Sequence, residues 1–234
     1  MRRWKKAILI LMPTIMLALL FYAAAKAEAF MWASLAFAAA AFIYLLVRFE
    51  RRKIEARELV LLAVLAAIAA VGRIPFASIP GVQPTTFVII MSGLVFGAES
   101  GFLIGAVAAL ASNMVLGQGP WTPWQMAAWG LAGLSAGLFG KTRVMRNRWG
   151  RLAFGFVWGF LFGWIMNVWG LLAFAQSGGE VSMASIGTYF AASAFFDFMH
   201  ACSNVFFLFV FSDIWLKSLG RFKQKYGLLE RNGL

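Results

Sequence analysis

Eight apolar stretches separated by short polar or charged breaks run the length of the chain: 7–25, 29–47, 59–71, 86–97, 101–116, 125–140, 152–175 and 188–214. A helix needs about 20 apolar residues to cross a bilayer, with about 17 as a lower bound. The stretches between 59 and 140 are short by that measure. They must borrow residues from their loops, or some of them do not cross fully. Their glycines and prolines point to broken or re-entrant ends, which are tolerated where backbone lines a protein cavity. The pattern predicts an all-α integral membrane protein. A hairpin of two spans (1–47) and a basic linker (48–58) precede a six-span core (59–214), and a basic tail follows (215–234).

Lys and Arg orient the spans. With the N-terminus inside, the inner segments are 1–6, 48–58, 98–100, 141–151 and the tail after 214, and 19 of the 21 basic residues fall on them. Only Lys26 and Arg73 fall outside. Cytoplasmic loops carry the excess of Lys and Arg, so both termini are expected in the cytoplasm and the span count is expected to be even. Composition agrees with a membrane class: 62% of residues are hydrophobic and 13% charged, against about 25% charged in soluble domains. The net charge of +12 follows this topology rather than a nucleic-acid surface, and the tail is expected at the inner surface near anionic lipid. The basic, apolar start resembles a signal peptide, but 7–25 is long enough to span and reads as a retained anchor.

Three loops then share the outer side of the core. Residues 73–84 read Arg-Ile-Pro-Phe-Ala-Ser-Ile-Pro-Gly-Val-Gln-Pro, residues 117–125 read Gly-Gln-Gly-Pro-Trp-Thr-Pro-Trp-Gln, and 176–187 is rich in Gly and Ser. In the second, Gly117 and Gly119 permit tight turns and Pro120 and Pro123 break helix. Thr122 is the expected cap of the next helix. Trp121 and Trp124 can lie over a ligand or anchor at the membrane–water boundary. Polar groups within apolar spans are costly and mark functional positions by default. Ser193, Asp197, His200 and Asn204 share one helix face by their spacing. Asn113 and Asn167 lie in the outer parts of their spans, and Gln125 starts its own. Together with Arg73, Gln83 and Gln118, these residues converge at one depth and describe a site open to the outside, with Trp129, Trp164 and Trp169 as further wall.

Plainer readings stand beside this one. Asp197 and His200 can satisfy each other between helices, Asn113 and Asn167 can serve as interhelical glue, and Arg73 can snorkel to headgroups. Catalysis has little support. The chain has no phosphate-binding loop ending in Lys-Ser/Thr, no Gly-x-Ser-x-Gly elbow, a single cysteine (Cys202) and a single histidine. No cofactor and no metal are expected. Ala63/Ala67 and Ala66/Ala70 form small-xxx-small pairs, which let another helix approach closely. They suit packing within the core or a docking face for a partner. Two rival classes remain: an intramembrane enzyme using Asp197 and His200, and a structural membrane protein without a ligand.

Three blocks resemble one family: 72–84 with its Pro-rich loop, 83–101 ending in Val-Phe-Gly-Ala-Glu-Ser-Gly, and 117–126. Over 59–214 the chain resembles the substrate-binding S components of energy-coupling factor (ECF) transporters. The resemblance implies a receptor in the bacterial cell membrane that binds a vitamin or related micronutrient externally. It implies partners too: a membrane coupling subunit and two cytoplasmic ATPases, which topple the loaded receptor to release its cargo inside. The family's Ala-x-x-x-Ala docking motif would map to Ala63/Ala67 or Ala66/Ala70, and its ligand loops to 73–84, 117–125 and 176–187. The hairpin 1–47 is extra to the family's six spans. Metal-ion members carry an N-terminal His-bearing segment, and 1–6 has none. Cobalamin, riboflavin, thiamin precursors and queuosine-type nucleobases stay open as substrates, with a large corrinoid favoured by the similarity of the Trp-Pro loop to cobalamin-linked members.

Overall fold

The computed structural model describes residues 55–228, which hold helices and connecting turns and no strand. The hairpin expected at 1–47 and most of the linker lie outside the described residues. The helices are α1 (Ala56–Arg73), α2 (Thr85–Phe96), α3 (Ala98–Leu116), α4 (Thr122–Phe139), the single turn α5 (Arg143–Arg146), α6 (Arg148–Gln176) and α7 (Met183–Tyr226). A 3-10 turn, Ile74–Phe76, follows α1. Each of the six apolar stretches of the core is thus a helix. Four of them, α1, α3, α6 and α7, are long and apolar enough to cross a membrane.

α2 is the middle of the bundle. It is apolar all round and buried from Thr85 through Gly93, as a helix surrounded by others must be. Its twelve residues give about 18 Å of rise, well short of the about 30 Å hydrocarbon core. The short stretch expected here is therefore a short helix enclosed by protein. Gly97, at φ 95°, turns the chain directly into α3. Glycines then set how closely the helices pack. A Cβ at Gly101 or Gly133 would enter the backbone of the other, one at Gly93 would meet the Gly133 carbonyl, and one at Gly105 the Trp129 carbonyl. α2, α3 and α4 therefore touch backbone to backbone. A second run, Gly155, Gly159 and Gly163, faces α7 at Leu208, Ala201 and Asp197.

α7 runs 44 residues without a break. The tail expected to begin at 215 is the continuation of this helix, with Trp215, Leu216 and Leu219 packed on the core. The helix stops at Gly227, whose left-handed φ of 57° lets the Leu228 amide reach back to the Lys223 carbonyl. Near this end Lys223 Nζ donates to the Val95 carbonyl at 2.7 Å and so closes the last turn of α2. Arg151, counted above with an inner loop, is instead buried in the first turn of α6. Its Nη2 lies 2.5 Å from Asp213 on α7, and Nη1 donates to the Arg146 carbonyl at 3.1 Å. This pair ties α5, α6 and α7 together at the end of the bundle where the basic segments gather. The opposite end carries the loops 77–84, 117–121 and 177–182.

Candidate functional site

At the loop end, two buried polar networks flank an aromatic seam. The first joins α1, α3 and α4. Arg73, the last residue of α1, donates from Nη1 to Ser112 Oγ at 3.0 Å and to Asn113 Oδ1 at 2.7 Å. Asn113 passes the contact on: its Nδ2 donates to Gln125 Oε1 at 2.7 Å and to Thr122 Oγ1 at 3.0 Å. Thr122 donates in turn to Gln118 Oε1 at 2.9 Å. The Thr122 hydroxyl also accepts from the Gly119 amide, so Thr122 holds the loop while sitting inside α4. The cap expected of it falls to Trp121, which makes no side-chain cap bond.

The seam begins under Arg73. Its guanidinium lies 5.1 Å over the Trp129 ring, and Trp129 packs on Phe162 of α6 at 4.8 Å between centroids. Phe162 meets His200 edge-on at 5.1 Å. Trp129 Nε1 donates to Thr86 Oγ1 at 3.0 Å, and Thr86 Oγ1 lies 2.8 Å from His200 Nε2. One buried hydroxyl on the central helix thereby connects α4 with α7. The second network lies between α6 and α7: Asn167 Nδ2 donates to Ser193 Oγ at 2.6 Å, and Ser193 donates to Asp197 Oδ2 at 3.1 Å. The Asp197 carboxylate rests on Gly163, where a side chain would displace it.

Of the residues expected to form the site, Arg73, Asn113, Gln118 and Gln125 meet in the first network. Asn167 and Asp197 meet in the second, and His200 joins the seam. Asp197 and His200 share a helix face as expected, yet they bond to different partners, Ser193 and Thr86, rather than to each other. Gln83 is held through its backbone, which donates to and accepts from Ser203 of α7. Its neighbour Gly81 lies against the backbone of α7 at Phe196 and His200, with φ 72°, so this loop sits directly on the helix that carries His200. Trp121 packs edge-on against Trp169 at 5.8 Å. Trp124 is deeper, buried with Ile165, Met166, Trp169 and Leu172 between α4 and α6, and is a wedge between helices rather than a loop tip. Asn204 donates to the Gly155 carbonyl and serves as glue below the site. Ser112, Thr86 and Ser203 complete the networks and were not singled out from the sequence. Among the described residues no group of three His, Cys, Asp or Glu is placed to hold a metal.

On α1 the two alanine pairs part. Ala66 and Ala70 are buried in the core, whereas Ala63 and Ala67 lie on the exposed face beside Val60, Val64 and Val71. Ala66 and Ala70 are accordingly packing residues, and a docking face on this helix reduces to Ala63/Ala67.

A family model described as "ECF transporter, substrate-specific component" matches residues 57–214. A UPF0397 protein of Vibrio atlanticus (strain LGP32) is 28% identical over 103 residues, 42% of this chain and 56% of that protein. UPF0397 proteins of Aliivibrio fischeri (strain MJ11) and Aliivibrio salmonicida (strain LFI1238) are each 28% identical over 91 residues, 37% of this chain and 49% of theirs. The chain spans about half the length of these curated relatives. No solved structure matches the chain.

Proposed function

The chain belongs to the family of substrate-specific components of ECF transporters, and from that premise we propose that it is a membrane receptor for a vitamin or related micronutrient. The observation that carries this reading is the convergence of Arg73, Asn113, Gln118 and Gln125 beneath the Trp-Pro loop. Binding sites in helix bundles are built this way, with a few placed polar groups among apolar and aromatic walls. The binding residues are Arg73, Gln83, Asn113, Gln118, Trp121, Trp124, Gln125, Asn167, Asp197 and His200, with Thr86 and Ser112 added by their contacts. The loop end faces outward, because the positive-inside bias puts the opposite, basic end in the cytoplasm of a bacterial cell. Release inside is driven by a membrane coupling subunit with two ATPases, docked on the Ala63/Ala67 face of α1. Cobalamin is the first ligand to test, on the similarity of the Trp-Pro loop.

The direct test is native mass spectrometry of the protein purified from its own host in mild detergent. A vitamin-sized mass should be retained, and Trp121→Ala should lose it while the protein stays folded. An empty wild-type protein that also binds no B vitamin at micromolar supply would overturn the receptor reading.

A further inference from the structure

Arg73 is, among the described residues, a cation with no counter-ion. Among the described residues no carboxylate lies within 4.0 Å of its guanidinium. Asp197 accepts from Ser193 instead. The partners of Arg73 are neutral, Ser112 and Asn113, and both contacts use Nη1. Among the described residues Nε and Nη2 donate to nothing and are not fully buried. A charged group taken partly out of water is costly unless it is paired and hydrogen-bonded. A guanidinium left with a free planar fork is shaped for a carboxylate or phosphate, which it can bind through two parallel hydrogen bonds.

Lipid headgroups offer the same chemistry, but the geometry turns Arg73 away from them. A snorkelling arginine extends its head toward the membrane surface. Here the guanidinium is turned inward: it holds Ser112 and Asn113, each 1% exposed, and lies over Trp129, which is 0% exposed. It is fixed at the junction of α1, α3 and α4, directly beside the Gln118–Gln125 loop. Resting on the receptor reading above, we propose that the transported molecule carries an acidic group, carboxylate or phosphate, and that Arg73 is the residue that receives it. The contact with the Trp129 ring and the bonds to Ser112 and Asn113 hold the fork in place, so little freedom is lost when the anion arrives.

The experiment uses matched probes differing in one acidic group: nicotinate and nicotinamide, pantothenate and pantothenol, riboflavin 5′-phosphate and riboflavin, and cobinamide phosphate and cobinamide. Binding is measured by titration calorimetry on wild type, Arg73→Lys and Arg73→Gln, each in nanodiscs of phosphatidylcholine with and without phosphatidylglycerol. In one pair the acidic member should bind wild type at least about tenfold tighter than its neutral mate, the worth of one charge-assisted bond. That preference should vanish in Arg73→Gln, persist in part in Arg73→Lys, and be indifferent to phosphatidylglycerol. Arg73→Lys keeps the charge, so it reads out the proposal even if the glutamine variant fails to fold. A tightest ligand that lacks an acidic group, or an acid preference untouched in Arg73→Gln, overturns the proposal while leaving the receptor reading intact. So does a preference competed away by phosphatidylglycerol, which would make Arg73 a lipid contact. Binding of no probe, with no small molecule retained on purification, overturns the receptor reading and this proposal with it.

Discussion

Asn113 shows how one side chain can organise a site. It is 1% exposed, and its amide contacts Arg73, Thr122 and Gln125 at once. Asn113→Ala removes an acceptor from a partly buried cation and a donor from two oxygens. Each buried partner left unsatisfied costs about 1–3 kcal/mol. The variant should melt at a lower temperature in detergent than wild type, by about 1–3 kcal/mol in stability, and should lose ligand as well. An unchanged melting temperature would mean that water replaces the amide and that the network is not a structural unit. Asn113, Gln125, Asp197 and His200 were legible because amides and ionisable groups are rare in apolar helices. Thr86, Ser112 and Ser203 were not. A hydroxyl in a membrane helix can bond its own backbone, as Ser92 does with Val88 and Ser112 with Ala109. Its presence therefore carries no signal until the facing helix is known.

Helix positions were legible from apolar runs, and all six core stretches became helices. Helix ends were less so. The basic residues after 214 read as a change of structure, yet α7 carries them on to Tyr226 because Trp215, Leu216 and Leu219 still have a core to pack on. Glycine spacing was visible, but its meaning depends on which helix faces which. Gly101 with Gly105, Gly133 with Gly137, and Gly155 with Gly159 and Gly163 each follow a four-residue step along one face. Small residues at that step allow close approach in membranes, where packing rather than hydrophobicity holds helices together. Gly133→Ala would force a methyl into the backbone of Gly101. We expect a loss of about 1–3 kcal/mol, typical of overpacking, seen as lower thermal stability. Gly187→Ala, inside α7 where nothing lies within 4 Å, should be neutral to stabilising by up to about 1 kcal/mol in the same assay, the helix propensity alanine gains over glycine. Equal effects would show that helix propensity, not the α3–α4 contact, governs both sites.

At the scale of the molecule the glycine contacts gather α2, α3 and α4 into one tight group and α6 and α7 into another. The candidate site lies across the seam between them, bridged by Trp129, Phe162, Thr86 and His200. The Ala63/Ala67 face lies on the exposed side of α1, opposite the buried Ala66/Ala70 side, so binding and delivery should be separable. Ala67→Leu should leave ligand affinity within about twofold, since the position is exposed, and reduce uptake in cells carrying the coupling module by about tenfold or more. Unimpaired uptake would remove this face from the docking role. α7 belongs to both ends of the molecule. Its 44 residues make a rod of about 66 Å, more than twice the about 30 Å of hydrocarbon. Asp197 and His200 sit toward one end of it and Lys223 near the other, about 40 Å along the same axis. In the proposed receptor that helix would act as a lever with its short arm at the candidate site: a swing of about 10° at the seam would carry the far tip some 7 Å sideways, somewhat more than the radius of about 5–6 Å of a helix with its side chains. A small rearrangement around a bound molecule would then register, greatly enlarged, where Lys223 closes the last turn of α2.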